Sequence, residues 1–335
     1  MPPKWIYSSL LILSIQMKVV AQDAKQRTLD RFHFKEYAIP IARDTLFFYL
    51  HQKGEAVPTK LVVYLQGTTP VPEPFFGVDP LEKGFSYTQH FPSDYQELDS
   101  SYAYVIVGLP GVPAVGNTGK LDLEKYHALN SLDYRVYCAD SVINYIYAHL
   151  FAPKKIIVYG HSEGAPVAAK LGTVNRRITH LGFWGGNALP DFFDFILFDR
   201  KENIRQQQSD SVTARNIEAY IQLFREIAAD TANTQPSNTN EITEYTHKRW
   251  WSYAEPPINH LLRIEQPLYI QAASEDENAP IESNYLIPLE FIRLRKTNLT
   301  FRVCVGCDHG FVLTQTGEDL WPVIFRDFIS WTERL

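Results

Sequence analysis

The sequence predicts an α/β fold: a mostly parallel central sheet of about eight strands flanked by helices, with a helical insertion late in the chain. Three observations carry that expectation. Short runs that are apolar on both faces recur along the chain, as strands sandwiched between two helical layers require. Stretches with helical apolar spacing fall between these runs. One interval of roughly 80 residues breaks the alternation and is too long for an ordinary connection.

The elements follow in order. Alternating apolar positions in Phe32–Pro40 and Thr45–Gln52, separated by Ala42-Arg43-Asp44, predict an antiparallel hairpin at the start of the sheet. Dense β-branched or aromatic runs at Leu61–Gln66, Tyr102–Val107, Lys155–Tyr159, His180–Trp184, Pro267–Ala272 and Leu299–Val305 predict buried strands. Helices are expected over Leu132–Phe151, Gly164–Leu171, Ile281–Arg295 and Glu318–Leu335. The long interval opens with the aromatic cluster Phe192–Phe198, carries a helical stretch at Val212–Ala229, and reaches Arg249-Trp250-Trp251. It reads as a helical cap over one end of the sheet.

Composition narrows the function classes. A chain of 335 residues that is 45% hydrophobic buries a large core, which excludes disorder and small disulfide scaffolds. Lys+Arg 32 against Asp+Glu 38 gives a net charge of -6, and so no electrostatic reason for a nucleic-acid partner. Lys4, the apolar stretch Trp5–Val20 and the small residues Val19-Val20-Ala21 read as a secretory signal peptide cut after Ala21. Lys18 and Gln16 make the run too polar for a membrane span. The expected division is residues 1–21 as signal peptide, 22–188 and 265–335 as two parts of one core, and 189–264 as the cap. The mature chain is expected to be exported, periplasmic or extracellular, with no membrane anchor.

The strongest chemical signal is Ile156-Ile157-Val158-Tyr159-Gly160-His161-Ser162-Glu163-Gly164. A buried strand enters G-x-S-x-G and leaves as a helix of small residues. A serine at the tip of so sharp a turn needs neighbours without bulk, which Gly160 and Gly164 supply, and the helix start places a backbone N–H near developing negative charge. In this motif and its flanking elements the chain resembles the α/β-hydrolase fold superfamily, in its esterase or serine aminopeptidase/prolyl-peptidase-like branch.

The resemblance implies a serine nucleophile, an acid and a histidine in that chain order, the last two on loops after late strands. His309, in Cys307-Asp308-His309-Gly310-Phe311 after the last strand run, stands where the superfamily places its base. Three carboxylates compete for the acid in Ser274-Glu275-Asp276-Glu277-Asn278-Ala279-Pro280. The family register selects Asp276, with Glu275 next and Asp308 last, and Ala273 replaces a frequent glycine. The oxyanion donors implied are the backbone N–H of Glu163 and that of Thr68, in Leu65-Gln66-Gly67-Thr68, where Gln66 stands in place of the family's histidine. The Glu163 side chain is a candidate to meet a substrate cation or to hydrogen-bond the oxyanion loop, or is idle beside its N–H. Gln66, Phe192, Trp250 and Trp251 are candidate pocket residues.

Other patterns are weaker. Gly116-Asn117-Thr118-Gly119-Lys120 lacks the first glycine and the Ser/Thr of a phosphate loop and reads as a turn. Cys304-Val305-Gly306-Cys307 lacks the second pair a metal site wants, and is either a small disulfide loop or two ordinary strand-end cysteines. Asn298-Leu299-Thr300 is a glycosylation acceptor pattern. The expected function is hydrolysis of a small-molecule carboxylic ester by Ser162, His309 and Asp276, with no metal or organic cofactor. The alternatives are a peptidase acting on small peptides or amides and a non-catalytic binding protein on the same fold.

Overall fold

A computed structural model describes residues 22–41, 44–67, 69–80, 84–236 and 244–334. The predicted signal peptide and Thr68 lie outside the described residues. A first helix, α1, runs through 22–31. The hairpin of β1 (Phe34–Ile41) and β2 (Asp44–Gln52) leads into an eight-stranded sheet completed by β3 (Lys60–Leu65), β6 (Tyr102–Val107), β7 (Lys155–His161), β8 (His180–Trp184), β9 (Leu268–Ala273) and β10 (Leu299–Cys304). The strand order is β1-β2-β6-β3-β7-β8-β9-β10. β1, β2 and β6 pair antiparallel, and every pairing from β6 to β10 is parallel. The architecture is the expected one, with each strand run within two residues of its predicted ends.

Alternation along each strand builds two apolar layers. Leu61, Val63 and Leu65 face one layer with Val105, Val158 and the helices α3 (Leu132–His149) and α4 (Gly164–Val174). Val62 and Tyr64 face the other, with Tyr104, Tyr159 and Trp184 under the C-terminal helix α11 (Trp321–Arg334). That helix places Trp321, Ile324, Phe325, Phe328 and Trp331 at spacings of three and four, which makes one continuous buried stripe. The α3 helix starts where Ser131 Oγ accepts the Tyr134 N–H at 3.3 Å.

Three features go beyond the sequence expectations. Phe76–Pro80 and Phe85–Gln89 form a separate two-stranded sheet, β4–β5. Helix α2 (Leu123–Leu129) is capped by Asp122, whose carboxylate accepts the Lys125 N–H at 3.0 Å. The aromatic cluster after Pro190 is a full helix, α5 (Asp191–Arg205), packed against α6 (Asp210–Ala229) and α7 (His247–Ser252) around Phe192, Ile227 and Trp250. A short helix α8 (Pro257–Leu261) then returns the chain to β9. The predicted Ile281–Arg295 helix is divided into α9 (Ile281–Asn284) and α10 (Leu286–Arg293). Among the described residues, no helix is long and apolar enough to cross a membrane.

Candidate active site

The turn between β7 and α4 holds Ser162 in the left-handed region, at φ 56°. An L residue rarely occupies that region, so the surroundings must enforce it. Two glycines make the turn possible. A Cβ on Gly160 would sit 2.0 Å from the Gly164 carbonyl oxygen, and one on Gly164 would sit 1.9 Å from that of Leu65. The second contact packs the start of α4 directly on the end of β3, where the chain passes into Gln66. The Ser162 N–H donates to the Trp184 carbonyl at 3.0 Å, tying the turn to β8.

The loops after β9 and β10 meet above this turn. His309 Nδ1–H donates to Asp276, at 2.9 Å from Oδ1 and 3.0 Å from Oδ2. Asp276 is 5% exposed, and its Oδ1 also accepts the Asn278 and Ala279 N–H groups at 2.7 and 2.8 Å. Those bonds hold the carboxylate in place. Of the competing carboxylates, Glu275 is exposed and the other two make bonds to backbone. Asp308 Oδ1 accepts the Gly310 and Val312 N–H groups at 2.9 Å each, closing its own turn. Glu277 accepts the His309 backbone N–H at 3.3 Å. Cys304 and Cys307 form a disulfide, which resolves the two readings of that pair. The loop it closes is bonded to the acid loop, the Ser274 and Glu275 N–H groups donating to the Cys304 and Cys307 carbonyls.

Ser162 and His309 line one cavity of about 290 Å³, with Asp191, Phe195, Arg249 and Trp250 contributed by the helical insertion. Of the four candidate pocket residues, Trp250 faces this cavity. Gln66 does not: its Nε2 donates to the Val107 carbonyl at 3.2 Å, because the loop turns its side chain toward β6. Phe192 packs inside the insertion against Phe224 and Trp250, and Trp251 is 44% exposed on its outside.

The largest departure from expectation is Glu163. Its carboxylate is buried and engaged on both sides, by Arg135 Nη1 at 3.2 Å and by Arg249 Nε and Nη2 at 3.0 and 2.5 Å. Arg135 Nη2 also donates to the Gln66 carbonyl. Arg249 Nη1 reaches Asp191 Oδ2 at 3.2 Å, and the guanidinium lies over the rings of Trp250, Tyr245 and Tyr253 at 4.1 to 4.8 Å. Burial works against the Arg249 charge, but Glu163 and Asp191 more than offset it and hold the guanidinium protonated. Glu163 is therefore neither idle nor open to a substrate amine. Arg135 escaped the sequence reading although it carries a signal, a charged residue within the apolar stripe of α3 beside Leu132, Val136 and Ala139.

His161 also belongs to the site. Its ring lies 4.7 Å from that of His309 and 4.8 Å from that of Trp321, and its Nε2 is 2.9 Å from the His309 carbonyl oxygen. Burial, aided by the neighbouring His309, pushes its pKa down to about 3.

The chain matches no protein-family model, and no curated protein is significantly similar to it. Solved structures do share its shape. It is similar to the Pyrococcus horikoshii acylaminoacyl peptidase, with a TM-score of 0.58 and 12% identity over 90% of this chain, and spans 41% of that enzyme's length. It is similar to the Pyrococcus furiosus esterase Pf2001, with a TM-score of 0.52 and 13% identity, over 90% of this chain and 92% of the esterase. A 2,6-dihydroxy-pseudo-oxynicotine hydrolase gives a TM-score of 0.51 and 16% identity, over 89% of this chain and 66% of that one. Likeness at such low identity speaks to architecture, and the architecture of this chain is that of the α/β hydrolases.

Proposed function

We propose that this chain is a serine hydrolase that cleaves a small carboxylic ester through an acyl-enzyme. The observation that carries the reading is the two-oxygen contact of Asp276 with His309 Nδ1, made over the same cavity into which the strained Ser162 turn opens. A serine hydroxyl is a poor nucleophile near neutral pH and needs a base held in one tautomer. Asp276 fixes the proton on Nδ1 of His309 and leaves Nε2 to accept the Ser162 proton as Oγ attacks the carbonyl. The backbone N–H groups of Glu163 and Thr68 would bind the tetrahedral oxyanion. Collapse expels the alcohol, which takes the proton from Nε2, and water deacylates Ser162 by the same route in reverse.

An ester is favoured over a peptide because the Glu163 carboxylate, the group best placed to receive a substrate amine, is taken up by Arg135 and Arg249. Export of the mature chain is part of the proposal. It rests on the signal-like first 21 residues and is supported by the Cys304–Cys307 disulfide.

Fluorophosphonate labelling, with the modified peptide identified by mass spectrometry, tests the reading. Label on Ser162 that is lost in His309→Ala is expected, together with faster turnover of short acyl nitrophenyl esters than of aminoacyl nitroanilides. An unlabelled, folded protein would favour a binding protein on this fold.

A further inference from the structure

Arg249 reaches 86 residues back along the chain to the residue that follows the nucleophile. It comes from α7 of the helical insertion, whereas Glu163 opens α4 of the core. Through Arg135 the same carboxylate is joined to the Gln66 carbonyl, at the root of the other oxyanion loop. The side chains of Arg135, Glu163 and Arg249 are 6%, 5% and 7% exposed. Burying three such charges is costly, and well-packed apolar residues commonly stabilise a fold as well or better. Their place between the residue after the nucleophile, the Gln66 carbonyl and the insertion argues for a role in the reaction. A guanidinium that bonds through Nε and Nη2 fixes direction as well as distance, which a lysine does not.

We infer that Arg249 is a positioning residue: by clamping the Glu163 carboxylate it aims the Glu163 backbone N–H at the oxyanion, so that the helical insertion must be seated for the site to be competent. The inference rests on the serine-hydrolase reading and deepens it. Arg249 also lines the cavity with Trp250 and Tyr253, so an acyl group resting on these residues presses on the same clamp.

The test compares wild type, Arg249→Lys and Arg249→Ala, each checked for folding by circular dichroism and thermal melting. It measures the second-order rate of fluorophosphonate labelling together with kcat and KM on an acyl nitrophenyl ester. In Arg249→Lys, labelling and kcat are expected to fall roughly 10- to 100-fold with KM little changed, the scale of a misaimed oxyanion donor. Millimolar guanidinium is expected to restore part of the rate in Arg249→Ala, which loss of fold stability would not predict. Should the alanine variant not fold, the lysine variant decides. A folded Arg249→Lys that labels at the wild-type rate would overturn the inference and leave the hydrolase reading intact. Absence of labelling in the wild type would overturn both.

Discussion

His161 Nε2 lies 2.9 Å from the carbonyl oxygen of His309, so the residue before the candidate nucleophile holds the backbone of the candidate base. A carbonyl only accepts, so the neutral imidazole must carry its proton on Nε2 and donate it. Replacing His161 by Ala leaves that carbonyl unpaired, and is expected to cost about 1–3 kcal/mol of stability and to lower kcat. The pH dependence has a definite sign. The folded pKa of about 3 lies below the ordinary 6.5, so between these values the unfolded chain binds a proton that the folded chain refuses. The stability due to a neutral His161 is complete above pH 6.5 and is lost as pH falls toward 3. Thermal melts from pH 7 to pH 4 should show a shallower decline in His161→Gln than in wild type. Equal slopes would mean that His161 is not held neutral.

Ser162 at φ 56° stores strain that glycine does not feel. Ser162→Gly is therefore expected to abolish turnover yet to melt higher than Ser162→Ala, by about 1 kcal/mol in stability. Gly164→Ala should do the reverse of a relief, because its Cβ would collide with the Leu65 carbonyl at 1.9 Å. β3 is a central strand of the sheet and α4 packs in its core, so both melting temperature and labelling of Ser162 should fall. A Gly164→Ala protein with wild-type labelling would show that the contact between elbow and β3 is dispensable.

Much of this was legible in the sequence, for reasons that lie in period and chain order. Strand runs such as Val62–Tyr64 and Val105–Val107 are buried on both faces and read as such. Ser162, Asp276 and His309 are legible as candidates because each follows the end of a strand. The structure places Asp276 against His309 and opens Ser162 onto the cavity that His309 lines. What stayed hidden depends on distant pairing. Nothing near Glu163 announces Arg249, and no local spacing shows that Gln66 turns toward Val107. The β4–β5 hairpin is hard to read because each strand is only five residues long, the first following prolines at 70, 72 and 74 and itself ending on Pro80. The α5 helix did carry signals, with Asp191 and Asp194 in its first turn and Arg205 in its last, beneath a run that looked only aromatic.

Asp94 is buried beneath the site, accepting from Trp321 Nε1 at 2.9 and 3.1 Å and from the Tyr159 hydroxyl. Burial outweighs these bonds and pushes its pKa up to about 7, against 3.8 in an unfolded chain. Over that window the folded protein keeps a proton that the unfolded chain releases, so this contribution to stability is full below pH 3.8 and lost as pH rises through 7. Asp94→Asn removes the ionisation. Its stability relative to wild type should therefore improve from pH 4 to pH 8, by up to about 4 kcal/mol. A difference independent of pH, in chemical denaturation at the two values, would place the Asp94 titration outside this range.

The sharpest discrimination concerns the two aspartates nearest His309. Asp308 is adjacent in sequence, but its carboxylate is spent on the Gly310 and Val312 N–H groups. Asp276 is 33 residues away, and both of its oxygens lie within 3.0 Å of Nδ1. If Asp276 fixes the tautomer, Asp276→Asn offers an amide that stabilises the wrong one, and kcat should fall by roughly 10⁴ with the fold intact. Asp308→Asn keeps an oxygen to accept the same two N–H groups, so it should cost less than about tenfold and act mainly through stability. The measurement is kcat/KM on one acyl nitrophenyl ester for both variants, at a pH where each is folded. Equal losses would remove Asp276 from the role of orienting acid, and a larger loss at Asp308 would transfer that role to it.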